Sequence, residues 1–238
     1  MKSVGRLRLV PGDSDSSWIQ EGVLPFNAHA VGSLIPVVFE SYGRILHPAW
    51  AHTGAAVRWE SVAAWSAGTT HALAQFDSLA RPKAGTIGPP PFEQRPHAGA
   101  LPRAVLGALC ELLAAHTTTP DTCFVGVWEG YGWLEPARFR TLRLQLPERT
   151  HLVFRGPLEA AADVGWTGFD GSFVRAAPSI IWPADRVWFV STDVDQDSTF
   201  VGGSRGLLEA LVADRRLEVW PVAPTDPITW DSDSINAP

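Results

Sequence analysis

The sequence predicts an α+β fold, a single domain over residues 1–238 with a mostly antiparallel sheet in its second half and helices packed on it. Three observations predict it. Helical periodicity is concentrated before residue 117, whereas short β-rich runs bounded by turn residues cluster after Asp121, a segregation that marks α+β rather than alternating α/β chains. Three of those runs fall between Cys123 and Arg155, which leaves no room for crossover helices and so implies an antiparallel meander. Finally, a chain of 238 residues and 25.8 kDa can bury about 70% of its unfolded surface, enough for a sizeable core without staples.

In chain order, Val31, Leu34, Ile35, Val38, Tyr42, Ile45 and Leu46 recur at the spacing of one helix face. With Ser33 to cap it and Pro48 to end it, they predict a helix over 34–46. A second helix is expected from Val57 to Trp65, stopping near Gly68. Between Arg81 and Arg103, six prolines and three glycines block both helix and central strand, and predict a long loop within the domain or a linker. Pro102 suits a first helical turn, and Val105, Leu109, Leu112, Leu113 and His116 share one face, giving a helix over 102–116. Strands follow at Cys123–Trp128, Arg140–Leu146 and His151–Arg155, then at Arg186–Val194. A helix over Ser204–Ala213 and a last strand over Leu217–Val222 precede a polar tail.

Composition narrows the function classes. A hydrophobic fraction of 45%, a charged fraction of 18% and a mean hydropathy of +0.02 exclude an extended disordered chain. The net charge of −6 repels a phosphate backbone, so nucleic acid is not an expected partner. No apolar window has the length of a membrane span and no signal-like segment opens the chain, so the expectation is a cytoplasmic protein with no membrane partner. Cys110 and Cys123 are too few for a disulfide framework and are expected as reduced thiols, Cys123 as a buried one.

The chain carries several distinctive stretches: Tyr42-Gly-Arg44-Ile-Leu-His47-Pro48, Cys123-Phe-Val-Gly-Val-Trp128-Glu129-Gly130, Trp182-Pro-Ala-Asp185-Arg186-Val-Trp188, and Asp193-Val-Asp195 running on to Thr199-Phe-Val-Gly202-Gly203-Ser204. With the tail Asp231-Ser-Asp233-Ser-Ile-Asn236, it resembles a family of uncharacterised actinobacterial proteins over nearly its whole length. That resemblance implies one domain with the Pro-rich segment as a loop. It brings no activity and no catalytic residues.

Several motifs imitate known chemistry and each lacks a partner it needs. Gly202-Gly-Ser204-Arg-Gly206 has the pattern of a nucleophile elbow, but no histidine follows the serine, since the last is His151. Ser204 then reads as a helix cap. Asp195-Gln-Asp197-Ser-Thr199 matches the signature of haloacid-dehalogenase-like phosphatases, yet only 39 residues follow Thr199 and none of them is a lysine. Asp193, Asp195 and Asp197 imitate an EF-hand loop whose glycine and terminal glutamate are replaced by Ser198 and Ser204. No zinc pattern, phosphate loop or dinucleotide fingerprint occurs, so no metal and no cofactor is expected.

The candidate ligand-binding residues are Arg44, His47, Trp128, Glu129, Arg186, Asp193 and Asp195. Arg44 and His47, three apart on the expected helix, would share a polar face able to line an anion pocket with Arg186. Trp128 beside Glu129 and Asp193 offers a stacking platform near carboxylates, although most of the eleven tryptophans are expected to fill the core. Arg186 is expected to be anchored by Asp185, Glu129 or the Asp231 and Asp233 tail. The function expected is non-catalytic binding of a protein or small molecule. The alternative is a hydrolase using Glu129 with Asp193 or Asp195, assisted or not by a metal, on a sugar- or nucleoside-like ligand. Convergence of Glu129, Arg186, Asp193 and His47 around a Trp-lined pocket would favour the enzyme; their dispersal would favour binding.

Overall fold

The computed structural model describes residues 2–3, 5–12, 16–167, 170 and 172–236. The chain begins with β1 (Lys2–Ser3), β2 (Arg8–Leu9), helix α1 (Ser17–Gly22), β3 (Ser41–Leu46), β4 (Ala49–Trp50) and β5 (Ala56–Val57). Helices α2 (Trp59–Ser66), α3 (Phe76–Leu79) and α4 (Arg103–Ala115) follow. Then come β6 (Cys123–Trp128), β7 (Arg143–Leu146), β8 (Arg149–Gly156), β9 (Gly165–Thr167), β10 (Phe173–Arg175), β11 (Ile180–Pro183), β12 (Phe189–Ser191) and β13 (Ser198–Gly203). Helix α5 (Arg205–Ala213) and β14 (Val219–Val222) close the sequence of elements.

Nine strands form one sheet in the order β14-β3-β13-β12-β11-β6-β8-β2, with β7 also on β8, and every pairing is antiparallel. This is the α+β domain that the sequence predicts. The sheet is buried on both faces. On one face Leu109 and Leu113 of α4 and Leu207 and Leu211 of α5 pack on Val125, Phe154, Ile181 and Val201. On the other, Ile19, Ile35, Leu144, Trp182 and Phe189 form a second layer, each such side chain contributing ~1.5–3 kcal/mol by its burial. Trp59 and Phe76 anchor a smaller cluster against α2 and α3.

The helix expected over 34–46 is corrected: residues 41–46 are β3, a central strand between β14 and β13. A strand covered on both faces shows no alternation of apolar and polar residues, and the helix-like spacing here arose from joining that strand to a 3-10 turn over Val31–Ser33. Arg44 and His47 are therefore not neighbours on one helix face. Arg44 is paired with Phe200 on the strand, and His47 lies just beyond its end. The strand expected at Cys123–Trp128 is present with those bounds, the one expected at His151–Arg155 is longer, and those expected at 140–146, 186–194 and 217–222 are shorter; the helices near 57–65, 102–116 and 204–213 are present.

The Pro-rich segment is an irregular loop stitched to the body along its course. Gln94 N donates to Trp50 O at 3.0 Å, Gly99 N to Gln196 O at 2.9 Å, and the Trp65 indole to Gly88 O at 3.0 Å. No helix of the described residues is long and apolar enough to cross a membrane.

Candidate functional site

The turn that joins β12 to β13, residues 192–197, is the floor of the site. Asp193 starts it by accepting the Asp195 amide on its side chain at 3.0 Å, while its carbonyl accepts Gln196 N at 3.1 Å. Aspartate favours this self-closing turn, and Asp193, Asp195 and Asp197 all line the cleft that it floors. The opposite wall is the start of the tail. His29 O accepts Ile228 N at 2.9 Å, and Val31 N donates to Asp226 O at 2.9 Å, which lays residues 226–230 beside the 26–34 segment. Between these walls and the 75–77 and 95–98 segments lies a cleft of about 500 Å³. A second depression of about 310 Å³ adjoins it, sharing Gln75, Phe76, Arg95 and Trp230 among its lining residues.

The charges of the cleft are organised in pairs. Arg149 on β8 reaches Asp195 at 2.7 Å and Asp193 at 3.3 Å, and its guanidinium lies 5.3 Å from the centre of the Trp128 ring. Arg95 pairs with Asp77. Behind the floor, the buried Arg44 donates to Ser198 Oγ at 2.9 Å and to Ala72 O and Ala74 O at 3.0 and 2.8 Å, with Asp197 at 3.6 Å. Burial pushes the Asp197 carboxyl above its ordinary value in spite of Arg44, and burial likewise lowers Arg44 from its own.

His47 is sealed beside this floor and fully buried. Its Nδ1 lies 2.7 Å from His97 O, an atom that only accepts, so Nδ1 carries the proton. Nε2 then accepts from Thr199 Oγ1 at 2.9 Å, and Thr199 accepts in turn from Thr192 at 2.7 Å. Burial lowers the His47 pKa to about 4, so the ring is neutral at pH 7. With both nitrogens occupied it holds the strand end and the loop together and offers no base to the cleft.

The structure thus brings together Trp128, Asp193 and Asp195 through Arg149, and sets Arg44 and His47 behind them. It does not bring Glu129 or Arg186 to the cleft. Glu129 pairs with Arg143 at 3.3 Å. Arg186, expected to be anchored by neighbouring or tail carboxylates, instead stands over the Trp18 ring at 5.5 Å with a left-handed φ of 58°. Asp185 is taken by Thr117 and Thr118, and Asp233 by His71, Gln75 and Asn236. The tail does fold back, but onto residues 69–75.

Sequence reasoning passed over Arg149, Asp77, Arg95 and Trp230. Trp230 alone had a signal: an indole in an otherwise polar tail, here 84% exposed, whereas Trp59 and Trp188 are fully buried. Among the described residues, no group of three or more His, Cys, Asp or Glu is placed to hold a metal ion. Chemically, the cleft offers carboxylates already matched to guanidiniums, aromatic faces from Phe26, Phe76 and Trp230, and no nucleophile held against a base. The chain matches no family model, no curated protein and no solved structure.

Proposed function

We propose that the protein is a non-catalytic binding module whose cleft, between residues 193–197 and the 228–230 wall, takes a small molecule. The observation that carries this reading is the pairing of the cleft's carboxylates: Asp193 and Asp195 with Arg149, Asp77 with Arg95, and Asp197 with Arg44. Carboxylates matched in this way recognise polar groups by exchanging partners, and none of them is set against a nucleophile in the cleft. Dispersal of Glu129 and Arg186 away from the cleft supports binding over the paired-carboxylate hydrolase. Concavity favours a small molecule over a flat protein partner. Of the stretches that carry the family resemblance, Asp193–Ser204 supplies the floor, Arg44 and His47 its backing and Trp128 the plate under Arg149. We place the protein in the cytoplasm, on the strength of its two unpaired thiols.

The test is a thermal-shift screen of a chemically diverse metabolite library on the purified chain. A ligand at about a hundred times its Kd stabilises by ~2.7 kcal/mol, a readily measured shift. Hits are expected to lose their effect in an Asp195→Asn, Trp230→Ala double variant and to be recovered unchanged after incubation with the protein. Hits that persist in the double variant, or that are converted to product, would sink the reading.

A further inference from the structure

We infer that the cleft takes an organic cation, a guanidinium or alkylammonium group, on the open indole face of Trp230 beside Asp231. This rests on the reading of the cleft as a binding site and names the chemistry it selects. Twice near this cleft the protein sets one of its own guanidiniums over an indole face beside a carboxylate. Arg149 lies over Trp128 at 5.3 Å with Asp193 and Asp195 beside it. Arg44 lies over Trp59 at 5.7 Å with Asp197 at 3.6 Å. In each, an indole face and a carboxylate together hold one guanidinium. The physical reason is that the negative π face and the carboxylate both attract positive charge, while a planar guanidinium is weakly hydrated and gives up little water to stack.

Trp230 and Asp231 are a third indole and carboxylate, adjacent in the chain and lining one depression together. The Trp230 side chain is 84% exposed where the cleft meets the adjoining depression, and it lines both. No cation of the described residues stands over its ring. Asp231 is exposed and makes no ion pair among the described residues. A large indole held in water costs free energy, and a stacking ligand would recover it.

Charge balance points the same way. Asp77, Asp193, Asp195 and Asp197 line the cleft, and Asp231 and Asp233 the depression. Facing them are Arg95, Arg149 and Arg81, so six carboxylates meet three guanidiniums. Asp233 is already held by backbone amides, and Arg44 compensates Asp197 from behind, which leaves Asp77, Asp193, Asp195 and Asp231 facing three guanidiniums, an excess of one carboxylate. A hard metal ion is not the matching cation, because it needs several converging oxygens and no such group exists among the described residues. A cation that spreads its charge over a flat or alkylated surface needs only one carboxylate and a π face.

The test uses the full chain and four probes: agmatine as the guanidinium, choline as the alkylammonium, and inorganic phosphate and glucose as anionic and neutral controls. The readout is the indole N–H and backbone amide NMR spectrum, with the Trp230 indole assigned by its loss in Trp230→Phe. Agmatine or choline should shift the Trp230 indole and Asp231 amide signals saturably, and less strongly as KCl is raised. Trp230→Ala, at a largely exposed side chain that folding does not need, should weaken that binding about threefold to thirtyfold. Asp231→Asn should weaken it severalfold. Equal binding to Trp230→Ala overturns the inference. Phosphate or glucose moving residues 193–197 while both cations move nothing overturns the cation class and leaves the cleft as a binding site. No probe moving any cleft signal overturns the inference, and only the library screen then decides for the cleft.

Discussion

The Arg149 guanidinium stacks 5.3 Å from the centre of the Trp128 ring while it pairs with Asp195 at 2.7 Å, and so ties the meander of the sheet to the floor of the cleft. Trp128 and Arg149 come from β6 and β8, neighbouring strands in register, whereas the carboxylates come from the turn after β12. One side chain thus sets the distance between two parts of the fold.

Removing that guanidinium should be costly for stability. Arg149→Ala leaves Asp193, which is largely buried, without its cation, and is expected to destabilise by about 1–3 kcal/mol. Arg149→Lys should recover only part of this, because an ammonium cannot serve two carboxylates and stack at once. Urea denaturation of the three proteins checks it; a loss below ~0.5 kcal/mol for Arg149→Ala would show the pairs to be solvated and idle.

The tail and Arg186 should act independently. The buried Asp233 carboxylate accepts from Gln75 N at 3.0 Å, Asn236 N at 2.8 Å and His71 Nε2 at 2.8 Å. Burial alone would raise its pKa, yet these hydrogen bonds hold it below the ordinary aspartate value. Asp233→Ala is expected to cost about 2–3 kcal/mol by orphaning those donors. Arg186→Ala removes, among its contacts, an exposed stacking on Trp18 worth about 0.5–1 kcal/mol. In a double-mutant cycle the two losses should add; coupling above ~0.5 kcal/mol would restore the tail as the partner of Arg186.

Much of the fold is legible in the sequence wherever the signal is local. The helix at Arg103–Ala115 and the strand at Cys123–Trp128 follow from periodicity and from flanking proline and turn residues. Ser204 follows from its place before an apolar helical face. What escapes is whatever depends on distant neighbours. Burial of Ser41–Leu46 on both faces erased the alternation that marks a strand. Arg149 meets Asp193 and Asp195 across more than forty residues of sequence, a pairing that no local pattern announces. Asp193 and Asp195 were visible as an acidic cluster, but their partner was not. Arg186 is legible as a noteworthy arginine, whereas its place over Trp18 depends on a left-handed turn that no local pattern announces.

Ser204 is a cap and not a nucleophile. Its Oγ accepts from Leu207 N at 3.2 Å at the start of α5. Ser204→Ala should cost ~0.5–2 kcal/mol, and Ser204→Asp should restore most of it. Labelling of Ser204 by a fluorophosphonate would contradict the assignment.

Acid should unfold the chain through its buried histidines. His47 and His151 both have pKa values lowered by burial to about 4, against 6.5 for an exposed imidazole. The unfolded chain therefore binds more protons between these values, and stability must fall as pH drops from about 6.5 toward 4, by ~3 kcal/mol for each ring. Above pH 7 neither ring contributes a slope. Denaturation midpoints measured from pH 4 to 8 check the window, and His47→Gln should make the curve shallower. A midpoint that holds constant from pH 6.5 to 4.5 would mean that the rings titrate normally.

The most direct test of the binding function is to map the first confirmed screening hit on the full chain by amide NMR at saturating ligand, with the ligand's own spectrum followed over the same hours. Perturbations are expected to concentrate at residues 193–197 and 228–231, with the ligand chemically unchanged. Perturbations confined elsewhere, such as the groove along α4 lined by Leu106, Cys110 and Leu158, or the appearance of a product, would contradict it.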